Sequence, residues 1–158
     1  MGREKIVITG LGVLAPNGNN VDEFWSACTA GKSGIGPITY FDSSDYRASI
    51  AGELSDFQPE TVLDPKEIRK LDPFSIYALV ATDEAVKMAN IDTDTVDLDR
   101  VGVTIGSGVG GIQTLEEQHT IIETKGPRRV SPLFVPKMIA NKFGRFIFRS
   151  LSRPITPE

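Results

Sequence analysis

Two glycine clusters, one thiol, one imidazole and two groups of basic side chains are the residues whose type and spacing could do chemistry here. Gly10-Leu11-Gly12-Val13-Leu14-Ala15 fits G-x-G-x-x-A, and Gly106, Gly108 and Gly111 fit G-x-G-x-x-G. Such loops cradle a pyrophosphate when they leave a strand and open a helix whose amides face the phosphates, with an acid at the next strand end for the ribose. The first cluster fails that test, because Pro16, Asn17, Gly18 and Asn19 stop any helix. The second passes the strand-to-helix test, yet about twenty residues further on the chain reads Thr124-Lys125-Gly126-Pro127, without a strand or a carboxylate. Nucleotide binding therefore stands as a rival to a plainer reading, in which the glycines allow close backbone approach or positive φ beside a packed sheet.

The lone Cys28 permits no internal disulfide and no cysteine cluster, and with His119 as the one histidine no structural metal site is expected. Cys28 shares helical spacing with Val21, Phe24 and Trp25, so it is expected on a buried face as an inert thiol with no basic neighbour. His119 is expected to pack on the face of Ile112, Leu115 and Ile122. Glu116 and Glu117 are adjacent and point about 100° apart on a helix, which makes no acid-base pair. No catalytic residue, metal ligand or cofactor is assigned. Lys66, Arg69 and Lys70 recur at i, i+3, i+4 and form one basic edge on a short helix.

The elements that must position these residues alternate between strand and helix. Lys5 to Leu14 reads as a buried strand, followed by a helix capped by Asn20 with Glu23 as capping-box partner and ending near Gly31. Residues 32 to 63 are rich in turn formers, and only Ser49 to Leu54 looks strand-like. Asp72 caps a helix that opens with Pro73 and buries Phe74, Tyr77, Ala81, Ala85 and Met88. After the acidic loop Asp92 to Asp99, a strand over Arg100 to Ile105 runs into the second glycine cluster and a helix from Ile112 to about Thr124. Val130 to Asn141 reads as a loop leading into a helix. The alternation predicts an α/β layered fold with a mixed, mostly parallel sheet.

Taken together, Val7 to Gly12, Ala30 to Ile35, Gly106 to Gly111 and Gly126 to Pro136 resemble the elongating β-ketoacyl-acyl-carrier-protein synthases of fatty-acid synthesis, the synthase II type. Ketosynthase domains of polyketide assembly share part of this pattern. The resemblance implies the incomplete first half of a thiolase-like fold and a decarboxylative Claisen condensation by a cysteine and two histidines. Those residues are not found in this chain, so it is expected to be inactive alone. It further implies that Val109 and Phe134 line an acyl pocket, and that Lys66, Arg69, Lys70, Arg128 and Arg129 meet an acidic acyl carrier protein. The plainer alternative is ordinary packing for the first set and a solvated surface for the second. A homodimer or a complementing second half is the implied assembly.

Residues 1–141 are thus expected to form the half-domain and 142–158 a divergent tail. That tail holds Lys142, Arg145, Arg149 and Arg153 against Glu158 alone, leaving −7 of the net −4 on residues 1–141. Its interleaved Phe143, Phe146, Ile147 and Phe148 could mimic a membrane-surface or nucleic-acid segment, but a non-native ending is the simpler account. No partnership with nucleic acid or membrane is expected. The apolar runs fall far short of the ~20 residues that span a bilayer, and a cytoplasmic protein is the expectation.

Overall fold

The structure is a computed structural model that describes residues 5–92 and 95–139. The chain divides into two compact units, one built from Met1–Gln58 with Val80–Asn90 and the other from Pro59–Leu79 with Ile91–Glu158. The expected tail and its boundary lie outside the described residues, as does part of the acidic loop.

In the first unit, residues 5–14 lead into a tight turn where Ala15 and Gly18 exchange backbone hydrogen bonds of 2.9 and 3.0 Å. Helix α1 follows as Val21–Thr29, with the Asn20 side chain accepting from the Glu23 amide at 2.9 Å. The Glu23 carboxylate reaches back to the Asn19 amide at 2.8 Å, one residue earlier than a standard capping box places it. The turn-rich excursion contains a hairpin, whose second strand falls within the strand-like stretch Ser49 to Leu54 and whose first strand was not read from the sequence. Strands β1 (Ile35–Pro37) and β2 (Ile50–Gly52) pair antiparallel, with Gly36 opposite Ala51.

Residues 10–13 lie along helix α3 (Pro73–Met88), whose second half belongs to this unit. A Cβ at Gly10 would meet the Ala85 carbonyl oxygen and the Ala89 side chain, and one at Gly12 would meet the Ala81 carbonyl. Glycine against alanine at i, i+4 and i+8 lets a backbone lie directly on a helix. The Glu84 carboxylate secures the contact, accepting from the Val13 amide at 2.9 Å and the Val21 amide at 2.8 Å. The close approach expected of the first glycine cluster is therefore present, with a helix as partner instead of a sheet.

In the second unit, the short helix α2 (Pro65–Ile68) is capped by Asp64, and the first half of α3 buries Ser75, Ile76 and Leu79. Phe74 and Tyr77 are half-buried, whereas Met88, at the other end of α3, is exposed, contrary to the face read from spacing. Helix α4 (Ile112–Lys125) ends at Gly126, and α5 (Phe134–Met138) follows a turn over Pro127–Arg129.

The parallel sheet is not formed among the described residues, where β1 and β2 make the one named sheet. Residues 5–14 and 101–105 lie outside any helix or strand. Val101, Val103 and Ile105 are half-buried and alternate with exposed Gly102 and Thr104, the inside-outside pattern of a strand face. Ile6 is 98 % exposed and Ile8 83 %. Without ladder partners, an apolar run has the composition of a buried strand and none of its burial.

Candidate functional site

The second glycine cluster sits where a strand-like segment turns into α4. Gly110 has φ of 80°, a conformation that favours glycine, and the Ser107 hydroxyl accepts from its amide at 2.9 Å. The Gly111 amide donates to the Met138 carbonyl at 2.9 Å. The Thr114 amide and hydroxyl donate to one Asp72 carboxylate oxygen at 3.1 and 2.6 Å. A carboxylate of the chain itself thus occupies the helix end where the motif would seat a phosphate.

Val109 protrudes from this loop and is 72 % exposed, while Phe134 opens α5 and is half-buried. Both belong to the second unit, and the loop is joined to α5 by the bond from Gly111 to Met138. Lys66, Arg69 and Lys70 are all exposed in that same unit, although α2 ends at Ile68, so only Lys66 lies within the helix. The Arg69 guanidinium donates from Nε to the Pro65 carbonyl at 3.1 Å, which holds its stem along the turn. Arg128 and Arg129, also exposed, occupy the turn before α5.

Two expectations need correction. Cys28 is exposed, because the buried position of α1 is Ala27, and the Asn17 side-chain amide lies 3.8 Å from its sulfur. His119 is exposed too, 3.7 Å from Glu123, and Ile112, Leu115 and Ile122 are exposed with it. The inward face of α4 is the polar stripe Thr114 and Gln118, which carries the hydrogen bonds to other segments. Sequence reading missed this face, since Thr and Gln spaced by four read as solvent-facing. The capping role of Asp72 was legible, and its tertiary bond to Thr114 was not.

An open cavity of about 650 Å³ lies in the first unit, lined by Asn17, Asn19, Glu23, Ser26, Lys32 and Asp56 among others. It contains none of the predicted site residues. No group of three or more metal-ligating side chains occurs among the described residues. No described helix is long and apolar enough to cross a membrane.

Comparison with known proteins agrees with the resemblance read from the motifs. The family profile "Beta-ketoacyl synthase, N-terminal domain" matches residues 3–145. The chain is 42 % identical over 139 residues to 3-oxoacyl-[acyl-carrier-protein] synthase 2 of Synechocystis sp., covering 88 % of this chain and 33 % of the relative. It is 48 % identical over 136 residues to the Staphylococcus aureus protein of the same name, covering 86 % and 33 %. It thus spans about a third of the length of these relatives. Among solved structures, the ishigamide ketosynthase/chain length factor superposes with a TM-score of 0.77 at 27 % identity, over 94 % of this chain and 37 % of that one. A ketosynthase in complex with its type II polyketide acyl-carrier protein gives 0.76 at 25 %, over 96 % and 40 %. The described residues therefore adopt part of the thiolase-like ketosynthase fold, and the chain belongs to the β-ketoacyl synthase family, matching its amino-terminal domain.

Proposed function

We propose that this chain provides the amino-terminal part of an elongating β-ketoacyl-acyl-carrier-protein synthase of fatty-acid synthesis, and that these 158 residues do not turn over by themselves. The observation that carries the proposal is 42 % identity to a synthase 2 across 88 % of the chain. The reaction joins an acyl-thioester enzyme to a malonyl-derived carbanion, with loss of carbon dioxide, and needs a thiolate nucleophile with two imidazoles. The chain holds one thiol and one imidazole. Cys28 belongs to the first unit and His119 to the second, where it faces Glu123.

On this reading, residues 5–14 and 101–105 are strands of the layered, mostly parallel sheet, and Val109 with Phe134 line the acyl pocket. Exposed Ile6, Val7 and Ile8 favour association with a second copy or with a complementing half. Lys66, Arg69, Lys70, Arg128 and Arg129 form the surface for an acidic carrier protein, contributing steering and register more than affinity. A non-catalytic, carrier-binding half-domain is the second reading, favoured by this exposed basic set within an acidic body. Nucleotide binding has less support, because Ser107 and Met138 already accept from the loop amides and Asp72 from the Thr114 amide in the first turn of α4.

Incubation with acyl- and malonyl-carrier protein is expected to yield no condensation above a protein-free blank, and product formation would overturn the inactivity. Charge reversal at Lys66, Arg69 and Lys70 together is expected to weaken carrier binding roughly tenfold at low salt, and less at high salt. Unchanged affinity at low salt would remove the carrier-binding surface.

A further inference from the structure

The buried polar side chains of the second unit are not used by the proposed reaction, yet they share one geometry. Asp72 is 4 % exposed and Gln118 7 %. One Asp72 oxygen accepts from the Phe74 amide at 3.4 Å, while the other holds Thr114 at 2.6 Å, joining the starts of α3 and α4. One turn further along α4, the Gln118 side-chain oxygen accepts from the Ser131 amide at 2.7 Å, just ahead of α5. One turn before Thr114, the Gly111 amide donates to Met138 at the end of α5. A single face of α4 thus carries directional bonds to three segments. Apolar contacts tolerate sliding, whereas a satisfied buried polar network specifies one arrangement.

We propose that Asp72 and Gln118 are positioning residues: through α4 they fix the glycine loop bearing Val109 against the segment bearing Phe134, and so tune which acyl-chain lengths fit. The chain-length consequence rests on the reading of Val109 and Phe134 as acyl-pocket residues. The mechanical coupling stands on the hydrogen bonds alone.

The test uses the full chain as wild type, Asp72→Asn, Gln118→Leu and Gln118→Glu. The last keeps the acceptor for Ser131. Amide hydrogen exchange is expected to rise roughly tenfold in both 106–111 and 131–138 for Asp72→Asn and Gln118→Leu, with Gln118→Glu close to wild type. A rise confined to the segment each side chain touches, or equal loosening in Gln118→Glu, overturns the coupling. Binding of eight- and sixteen-carbon acyl-pantetheine thioesters supplies the second readout. The ratio of the two affinities is expected to shift at least about fivefold in the loosened variants and to be retained in Gln118→Glu. An equal loss for both thioesters overturns the role in chain length. Coupled exchange in a wild-type chain that binds neither thioester overturns the acyl-pocket reading, while the positioning of the loop against α5 is upheld.

Discussion

Gly12 lies so close to α3 that even a methyl group would strike the carbonyl of Ala81, part of the helix backbone that cannot swing aside. Gly12→Ala is therefore expected to lower stability by about 1–3 kcal/mol, measured by urea unfolding. Gly36→Ala, whose added Cβ would enter open space, is expected to change it by about 0.5 kcal/mol or less. Equal costs at the two positions would refute the close approach. Glu84→Gln tests the other half of that contact. The carboxylate accepts from two amides, but a carboxamide aims an NH₂ at one of them. A loss of about 1–3 kcal/mol is expected in the same assay, and no loss would mean that water replaces the bond without cost. Glycine in G-x-G-x-x-A was legible as a close-approach residue, since a missing Cβ is a local property. Glu84 was not, because a glutamate among helical residues reads as an ordinary surface charge until the chain it serves, over sixty positions away, is folded against it.

At the scale of elements, starts and stops were legible and faces were not. Asn20, Asp72-Pro73 and Gly126 mark helix ends through backbone chemistry that acts within a few residues. Asn20→Ala is expected to cost about 1 kcal/mol, with the loss of α1 protection followed by amide exchange. An unchanged α1 would show that Glu23 caps alone. The face of α4 was misread because Ile112, Leu115 and Ile122 follow helical spacing, yet tertiary hydrogen bonding turned Thr114 and Gln118 inward. The second strand of the hairpin was legible in Ser49 to Leu54, but the first escaped notice because Gly and Pro within β1 obscure strand alternation. Beyond the hairpin, the Glu53 carboxylate accepts from the Thr39 hydroxyl at 2.7 Å and from the Thr39 and Tyr40 amides. The Thr39 hydroxyl, foremost, holds this carboxyl below the ordinary glutamate value of 4.5. For a depressed carboxylate, the clasp is fully present above that value and is lost as pH falls through the lower folded one. Thr39 and Tyr40 amide shifts are expected to titrate with Glu53 below pH 4.5. A midpoint above that value in an NMR titration would contradict the clasp.

At the scale of the whole molecule, the family was legible because its motifs are contiguous strings in a fixed order. The sheet was not, because pairing is a property of separated segments. The described residues place only Ala27, Leu63, Ile76 and Leu79 in the buried apolar class, while Ile6, Val7 and Ile8 stand in solvent. Unpaired apolar segments of this kind bind dyes and one another. The chain alone is expected to bind a hydrophobic dye such as ANS in buffer without denaturant, and a carboxy-terminal ketosynthase half added in trans is expected to reduce that signal. Dye binding unaffected by the added half would argue against complementation.

Cys28 and His119 carry no assigned chemistry, but each is the sole residue of its type, each is exposed, and each belongs to a different unit. The wild-type chain is thereby supplied with two built-in reporters. A maleimide fluorophore on the thiol senses the first unit, and the imidazole proton resonances sense the second. One denaturation series can follow both signals without introducing a label site. Coincident midpoints would mean that the units melt as one cooperative body, and separated midpoints would give the stability of each.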